Sequence, residues 1–269
     1  MPPDSRSPNR SRRALLWRAG VVGVLAGIAS GLFGVGGGAV MVPGLVMLVG
    51  ISQRLAHGTS LTAIVPIAIA AGLGYASAGE VDLVVAALVA AGALVGTPVG
   101  VVLLGRLPAT WLRVGFAVVL VVTAVWLVIE TGAGEGREAI GLLGALAYAG
   151  TGVVSGALAG LMGVGGGVII VPALTLVFGF PLTLAKGTSL AVIVPTALLG
   201  TLRNRRQGTT DLGVGAVAGL AGVVAAAVAS QVALGLDPRL GASLFAGLLV
   251  VVAAHLAWRA ARDRGDPRS

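Results

Sequence analysis

The stretch GLFGVGGGAVMVPGLVML, residues 31–48, decides how this chain is read. It places five glycines within residues 31–38 and then Pro43, all inside an otherwise apolar run. Glycine in a helix interior costs about 1 kcal/mol and proline about 3. An uninterrupted apolar helix has no use for either. The same violation returns 129 positions later as GLMGVGGGVIIVPALTLV, residues 160–177.

Around these stretches the chain is 57% hydrophobic and 10% charged, whereas a soluble domain carries about 25% charged residues. Uncharged apolar runs cover residues 19–53, 55–79, 83–105, 114–129, 139–185, 187–202, 212–236 and 240–258. Most reach the roughly 20 residues needed to cross a bilayer. The short alternating segments of a membrane barrel are absent. The expected fold is therefore an all-α polytopic membrane protein. With no cysteine, disulfides and thiolate metal sites are excluded. No metal, cofactor or enzymatic chemistry is expected. The net charge is +8, with arginines gathered in the two tails and a few loops. They read as cytoplasmic ends of spans rather than as a nucleic-acid surface. Arg12-Arg13 before an apolar run imitates a signal peptide. However, Gly23, Gly27 and Gly31 recur as Gly152, Gly156 and Gly160, so the first segment reads as part of a repeated unit and no cleavage is expected.

Residues 31–66 align with 160–195 without a gap, with 20 of 36 positions identical. The same offset pairs Asp82 with Asp211 and Phe116 with Phe245. Two homologous halves follow. The expected division is a basic tail 1–15, a first repeat 16–130, a linker 131–139, a second repeat 140–258 and a basic tail 259–269. Charge sets their orientation. The loop after Pro66 is acidic (Glu80, Asp82), whereas the loop after Pro195 is basic (Arg203, Arg205, Arg206). The first half ends mostly acidic (Glu130, Glu135 and Glu138, with Arg137); the second ends mostly basic (Arg259, Arg262, Arg264 and Arg268). Cytoplasmic loops carry the excess of Lys and Arg, so equivalent loops are expected on opposite faces, which is an inverted-topology repeat. Each half reads as a broken helical hairpin followed by three spans. The hairpins are about 16–50 and 140–179. The spans are about 61–78, 82–104 and 112–130, then 188–202, 212–234 and 241–258. Both termini come out cytoplasmic, in a cell membrane. The second hairpin arms are near 11 residues, about 16 Å long, which favours re-entrant arms over full crossings.

The contiguous glycines Gly36, Gly37, Gly38 and Gly165, Gly166, Gly167 then read as chain breaks at the bilayer midplane. A half-helix starting there points unpaired N–H groups and a partial positive charge at the break, a ready anion site. Irregular backbone at that depth is tolerated only against protein or a watery cavity. The spaced glycines Gly23, Gly27, Gly31 and their copies read instead as helix-packing faces, as do Gly92, Gly96 and Gly100. A dinucleotide fingerprint fits only one copy and lacks its acidic partner.

The second repeated motif is Ala-(His/Lys)-Gly-Thr-Ser-Leu. Thr59, Ser60, Thr188 and Ser189 are helix-capping residue types and equally candidate ligand contacts. The preceding His57 or Lys186 is a candidate electrostatic or gating group, or else an interfacial charge whose head reaches water. Pro43, Pro66, Pro172 and Pro195 are candidate helix kinks. No Asp, Glu, Lys or Arg is expected deep in the hydrocarbon, which argues against proton coupling through a buried carboxylate. His255 reads as packed or capping.

The paired Gly-x-Gly-Gly-Gly-x-x-x-x-Pro (residues 34–43 and 163–172), each followed by Gly-Thr-Ser, resembles the sulfite exporter TauE/SafE family of membrane transporters. The likeness runs from about 18 to 258. It implies transport of small inorganic or organosulfur anions: sulfite, thiosulfate, sulfonates or sulfoacetate. An inside-negative potential is worth about 2.3 kcal/mol per charge per 100 mV, which favours anion export. The alternatives are an anion channel or facilitator, and a membrane structural or assembly subunit. Homo-oligomerisation stays open.

Overall fold

In a computed structural model, the structure describes residues 8–104, 109–129, 141–162 and 166–264. Among them there is no strand. The helices are α1 (Pro8–Phe33), α2 (Gly38–Gly44, continued by a π turn Leu45–Val49), α3 (Gln53–Ser77), α4 (Leu83–Leu104) and α5 (Ala109–Ile129). The second half supplies α6 (Leu142–Met162), α7 (Gly167–Leu176), α8 (Leu182–Arg206), α9 (Leu212–Gly235) and α10 (Pro238–Arg264). Five of these are long and apolar enough to cross a membrane: residues 12–33, 53–77, 182–206, 212–235 and 238–255. Their outward faces carry Leu73, Leu220, Val224 and Val251, exposed as lipid-facing side chains would be.

Most ends of these helices follow from local chemistry. Ser52 caps α3 by accepting from the Leu55 amide. The Asp82 carboxylate accepts from the Val84 and Val85 amides at 3.0 Å, and Asp211 accepts from Val214 at 3.0 Å. Turn glycines with positive φ recur at the repeat offset: Gly50 with Gly179, and Gly79 with Gly208.

Two helix starts differ from the sequence reading. α3 begins at Gln53 and α8 at Leu182, earlier than the expected 61 and 188. The Gly-Thr-Ser motif therefore lies in the second turn of each helix, not at its cap. Ser52 and Pro181 stand at the N-cap positions instead, because the polar and proline signals just upstream outrank the buried hydroxyls. α3 and α8 stay helical across Pro66 and Pro195. α1 begins at Pro8, inside the stretch read as a tail.

The spaced glycines pack as the sequence suggests, but across the halves. A Cβ on Gly23 would fall on the Ala218 carbonyl, and one on Gly27 on that of Gly222, so α1 lies at backbone contact with α9. Gly152 and Gly156 likewise meet Val89 and Ala93, joining α6 to α4. The equivalent helices α3 and α8 run antiparallel: Gly72 faces Leu190, and Gly200 faces Leu61. Two cores result. One gathers α1, α2, α3 and α9 around Met41, Ile64 and Ile67. The other gathers α4, α5, α6, α7 and α10 around Leu120, Ile170 and Phe245. α8 contributes to both, through Ile193 to the first and Val192 to the second.

Candidate functional site

The first glycine cluster interrupts the helix. α1 ends at Phe33 and α2 starts at Gly38. Between them Gly34, Gly36 and Gly37 have φ of 68°, 72° and 72°, a left-handed backbone that costs a side-chain-bearing residue about 1–2 kcal/mol. α2 then returns along α1. The Gly37 position abuts Ala26, Gly44 abuts Val22, and Arg18 Nη1 donates to the Leu48 carbonyl at 3.3 Å. In the second half α6 ends at Met162 and α7 starts at Gly167 with Gly166 at its N-cap. Gly165 lies outside the described residues. The returning arms, residues 38–49 and 167–176, are about 18 and 15 Å long, roughly half a hydrocarbon core. Pro43 and Pro172 lie inside them.

The two interruptions touch. The space a Cβ on Gly167 would need is filled by Val35 Cα at 2.8 Å and Ile193 Cδ1 at 2.7 Å. Ile193 Cδ1 also lies 3.0 Å from the Cβ position of Gly36. Gly38 is buried as the first residue of α2. Gly34 abuts the main chain of Lys186, with the Lys186 Cα 2.5 Å from its Cβ position. The tip of the first hairpin thus meets both the second hairpin and the second half's Lys-Gly-Thr-Ser motif. Beside Gly166 is a cavity of about 60 Å³, lined among others by Thr97, Ser155, Ile193 and Thr196. Each of the three hydroxyls now donates to a carbonyl of its own helix. That volume holds about two waters.

The Thr-Ser pairs are not brought together. They sit at opposite ends of the antiparallel pair α3 and α8, each buried against the other half. Thr188 Oγ1 accepts from the Asp82 amide at 3.0 Å, and Thr59 Oγ1 accepts from the Asp211 amide at 3.0 Å. Gly58 and Gly187 let the loops approach: a Cβ there would fall on the Thr209 and Glu80 carbonyls. Ser60 donates to the His57 carbonyl at 2.8 Å. Ser189 Oγ and Ser30 Oγ are buried without a hydrogen-bond partner. His57 is half-buried, with Nε2 3.5 Å from Gln53 Nε2. His255 lies in α10 near Trp258, ring centroids 6.2 Å apart.

Lys186 departs furthest from expectation. Of the two readings its sequence allows, an electrostatic or gating group and an interfacial charge reaching water, its burial does not fit the second: it is 3% exposed. Its ammonium lies 5.9 Å from the Phe245 ring centroid. Gly34 accounts for the close approach: without a Cβ there, α8 presses its backbone at Lys186 against the hairpin tip. A single sequence shows that Lys186 exists in a repeated motif, but not what closes over it.

Four curated relatives match. Two are from Bacillus subtilis (strain 168). The probable membrane transporter protein YdhB is 33% identical over 105 residues, which is 39% of this chain and 43% of YdhB. The probable membrane transporter protein YunE is 28% identical over 70% of this chain and 77% of its own length. A probable membrane transporter protein of Xylella fastidiosa (strain 9a5c) is 28% identical over 88% of this chain and 93% of its own. No solved structure matches the chain. The profile of the family described as Sulfite exporter TauE/SafE matches residues 2–127 and 148–269. Matched over nearly its whole length, the chain belongs to the sulfite exporter TauE/SafE family.

Proposed function

We propose that this protein is a secondary transporter that exports small sulfur-containing anions, such as sulfite, thiosulfate or organosulfonates, by alternating access around the two glycine interruptions. The observation that carries the reading is their meeting: Val35 against Gly167, with Ile193 against both breaks. A packing role alone asks for one small residue per turn and leaves no reason for two broken helices to converge. The start of α7 has no side-chain cap, so its first amides are free to face a negative solute. Two buried hydroxyls lack partners: Ser30, one turn before Gly34, and Ser189, one turn after Lys186, whose main chain abuts Gly34. An unmet buried hydroxyl costs about 1–3 kcal/mol, which an oxyanion accepting from it would recover. The Thr59 and Thr188 oxygens are occupied by main-chain amides, which leaves their hydroxyl hydrogens for a solute.

The antiparallel contact of α3 with α8 supports the inverted repeat, and the loop charges support cytoplasmic termini in the cell membrane. With the interior negative, efflux of an anion is electrically downhill and needs no coupling ion. The test is protein-dependent efflux of sulfite or thiosulfate from loaded liposomes under an inside-negative potential. Saturable efflux that rises with the potential is expected. No efflux of any small oxyanion or organosulfur anion would end the reading in favour of a structural subunit. Unitary currents would replace the carrier by a channel.

A further inference from the structure

A cavity of about 480 Å³ is separate from the hairpin contact. It lies where α5, α7 and α9 end and where α8 and α10 begin, lined among others by Trp126, Phe180, Leu182, Thr183, Lys186 and Asp237. We propose that this cavity binds an organic monoanion carrying an apolar body of several carbons, its head held by Lys186 and the start of α8, and its body against Trp126, Phe180 and Leu182.

Three observations meet there. Lys186 is 3% exposed, lines the cavity and has no hydrogen-bond or carboxylate partner among the described residues. A buried ammonium without a counter-charge is costly, and an anion in the cavity supplies one. Second, α8 is 25 residues long, and its N-terminus carries no side-chain cap at Pro181. Leu182 and Thr183, both on the cavity wall, open that helix before its first internal bond, from the Ala185 amide to the Pro181 carbonyl. The neighbouring start of α10 is already satisfied, since Asp237 accepts from the Arg239 and Leu240 amides at 2.9 and 3.2 Å. The free positive end is thus α8's, one turn from Lys186. Third, 480 Å³ falls within the roughly 300–1,000 Å³ of small-molecule sites. It holds many times the volume of a four-heavy-atom anion, and the wall beyond Lys186 is aromatic and aliphatic. Bare sulfite fills the head position and leaves the rest of the cavity unused.

With a sulfonate head the inference rests on the transport reading above, so binding and flux are measured apart. Calorimetric titration of purified protein in detergent uses sulfite, butanesulfonate and the uncharged dipropyl sulfone. Butanesulfonate is expected to bind at least tenfold tighter than sulfite. Lys186→Met keeps the stem length, and is expected to weaken butanesulfonate at least tenfold while leaving the sulfone within twofold. A Cβ at Gly241, on the cavity wall, meets nothing within 4 Å. Gly241→Leu therefore starts its side chain in open space at the cavity wall, and is expected to abolish butanesulfonate binding and spare sulfite. It keeps the proposal testable if Lys186→Met fails to fold. Sulfite binding as tightly as butanesulfonate would overturn the proposal, as would butanesulfonate binding unchanged in both variants. An anionic phospholipid retained stoichiometrically by the wild type and lost from Lys186→Met would assign the cavity to lipid and overturn it too. Sulfite efflux persisting without cavity binding removes this site alone; cavity binding without efflux of any anion removes the transport reading alone.

Discussion

Replacing Thr188 with valine removes the oxygen that accepts the Asp82 amide across the two halves while keeping the side chain's shape. Thr59→Val does the same to the Asp211 amide. A buried N–H left unpaired costs about 1–3 kcal/mol. Asp82 is half-buried and Asp211 exposed, so water compensates more at the second. We expect about 1.5 kcal/mol lost for Thr188→Val, within that range, and about 0.7 for Thr59→Val, below it because water replaces the lost acceptor. The two bonds lie at opposite ends of α3 and α8 and share no partner. Their costs should therefore add to about 2.2 kcal/mol, within about 0.5. Thr151→Val is the control: that hydroxyl, on a half-buried residue, donates only to the Ala147 carbonyl of its own helix, and should change stability by less than about 0.5 kcal/mol. Equilibrium unfolding in mixed micelles, followed by tryptophan fluorescence, measures all four. If Thr188→Val were as stable as the control, the cross-half bond would not brace the fold. If it lost flux at unchanged stability, the hydroxyl would serve the solute first.

Other outcomes follow from the same contacts. Gly152→Ala should destabilise the α4–α6 crossing strongly, because the Val89 carbonyl occupies the Cβ position, whereas Gly150→Ala, two residues away, meets nothing and should be neutral or slightly stabilising by propensity; melting of the two variants tells them apart. Gly36→Ala meets Ile193 Cδ1 at 3.0 Å and Cγ2 at 3.1 Å, and it needs a positive φ. It should cost about 1–2 kcal/mol and lower efflux at least tenfold while the protein stays folded. The sequence lacks cysteine, so single cysteines at Ala78 and Gln207, both exposed in loops, should react with an impermeant maleimide from opposite sides of the membrane. Labelling from one side would refute the inverted arrangement.

What could be read from the sequence was whatever repeats along it. The glycine triplets violate helix propensity twice, and the first opens a gap between α1 and α2 with three positive-φ glycines. The apolar runs make the all-helical membrane fold legible without any contact information. What stayed hidden was everything set by packing between halves. Lys186 and His57 occupy equivalent places in the motif, yet one is fully enclosed and the other half-buried. Which neighbour closes over each is a three-dimensional fact. The residue types of the Thr-Ser pairs suit helix caps and ligand contacts equally, and the sequence does not decide between them. Their actual partners, the Asp82 and Asp211 amides, lie 106 and 152 positions away. Trp126, Thr183 and Asp237 carried no signal at all, since nothing along the chain marks residues that share a cavity wall.

Under the alternating-access proposal, the interlocking of the halves constrains which parts can move. Rocking one sequence half against the other would have to separate α1 from α9 and α4 from α6, where main chains are in direct contact at Gly23, Gly27, Gly152 and Gly156. Opening such close crossings forfeits dispersion along whole helices, which is what holds helices together in lipid. The two cores suggest different bodies: α1, α2, α3 and α9 on one side, and α4, α5, α6, α7 and α10 on the other. Their boundary runs past Val35, Gly167 and Ile193, where the hairpin tips touch. The Cβ position of Gly20 in α1 is 3.8 Å from Ala221 Cβ in α9, the mean separation in a disulfide, about 3.8 Å. A Gly20→Cys, Ala221→Cys pair therefore locks one half to the other while staying within one core. If the cores are the moving bodies, the oxidised double variant should keep efflux within about twofold of its reduced form, roughly 0.4 kcal/mol. If oxidation stops efflux and reduction restores it, the halves themselves are the moving parts and the contacts between α1 and α9 must open during transport.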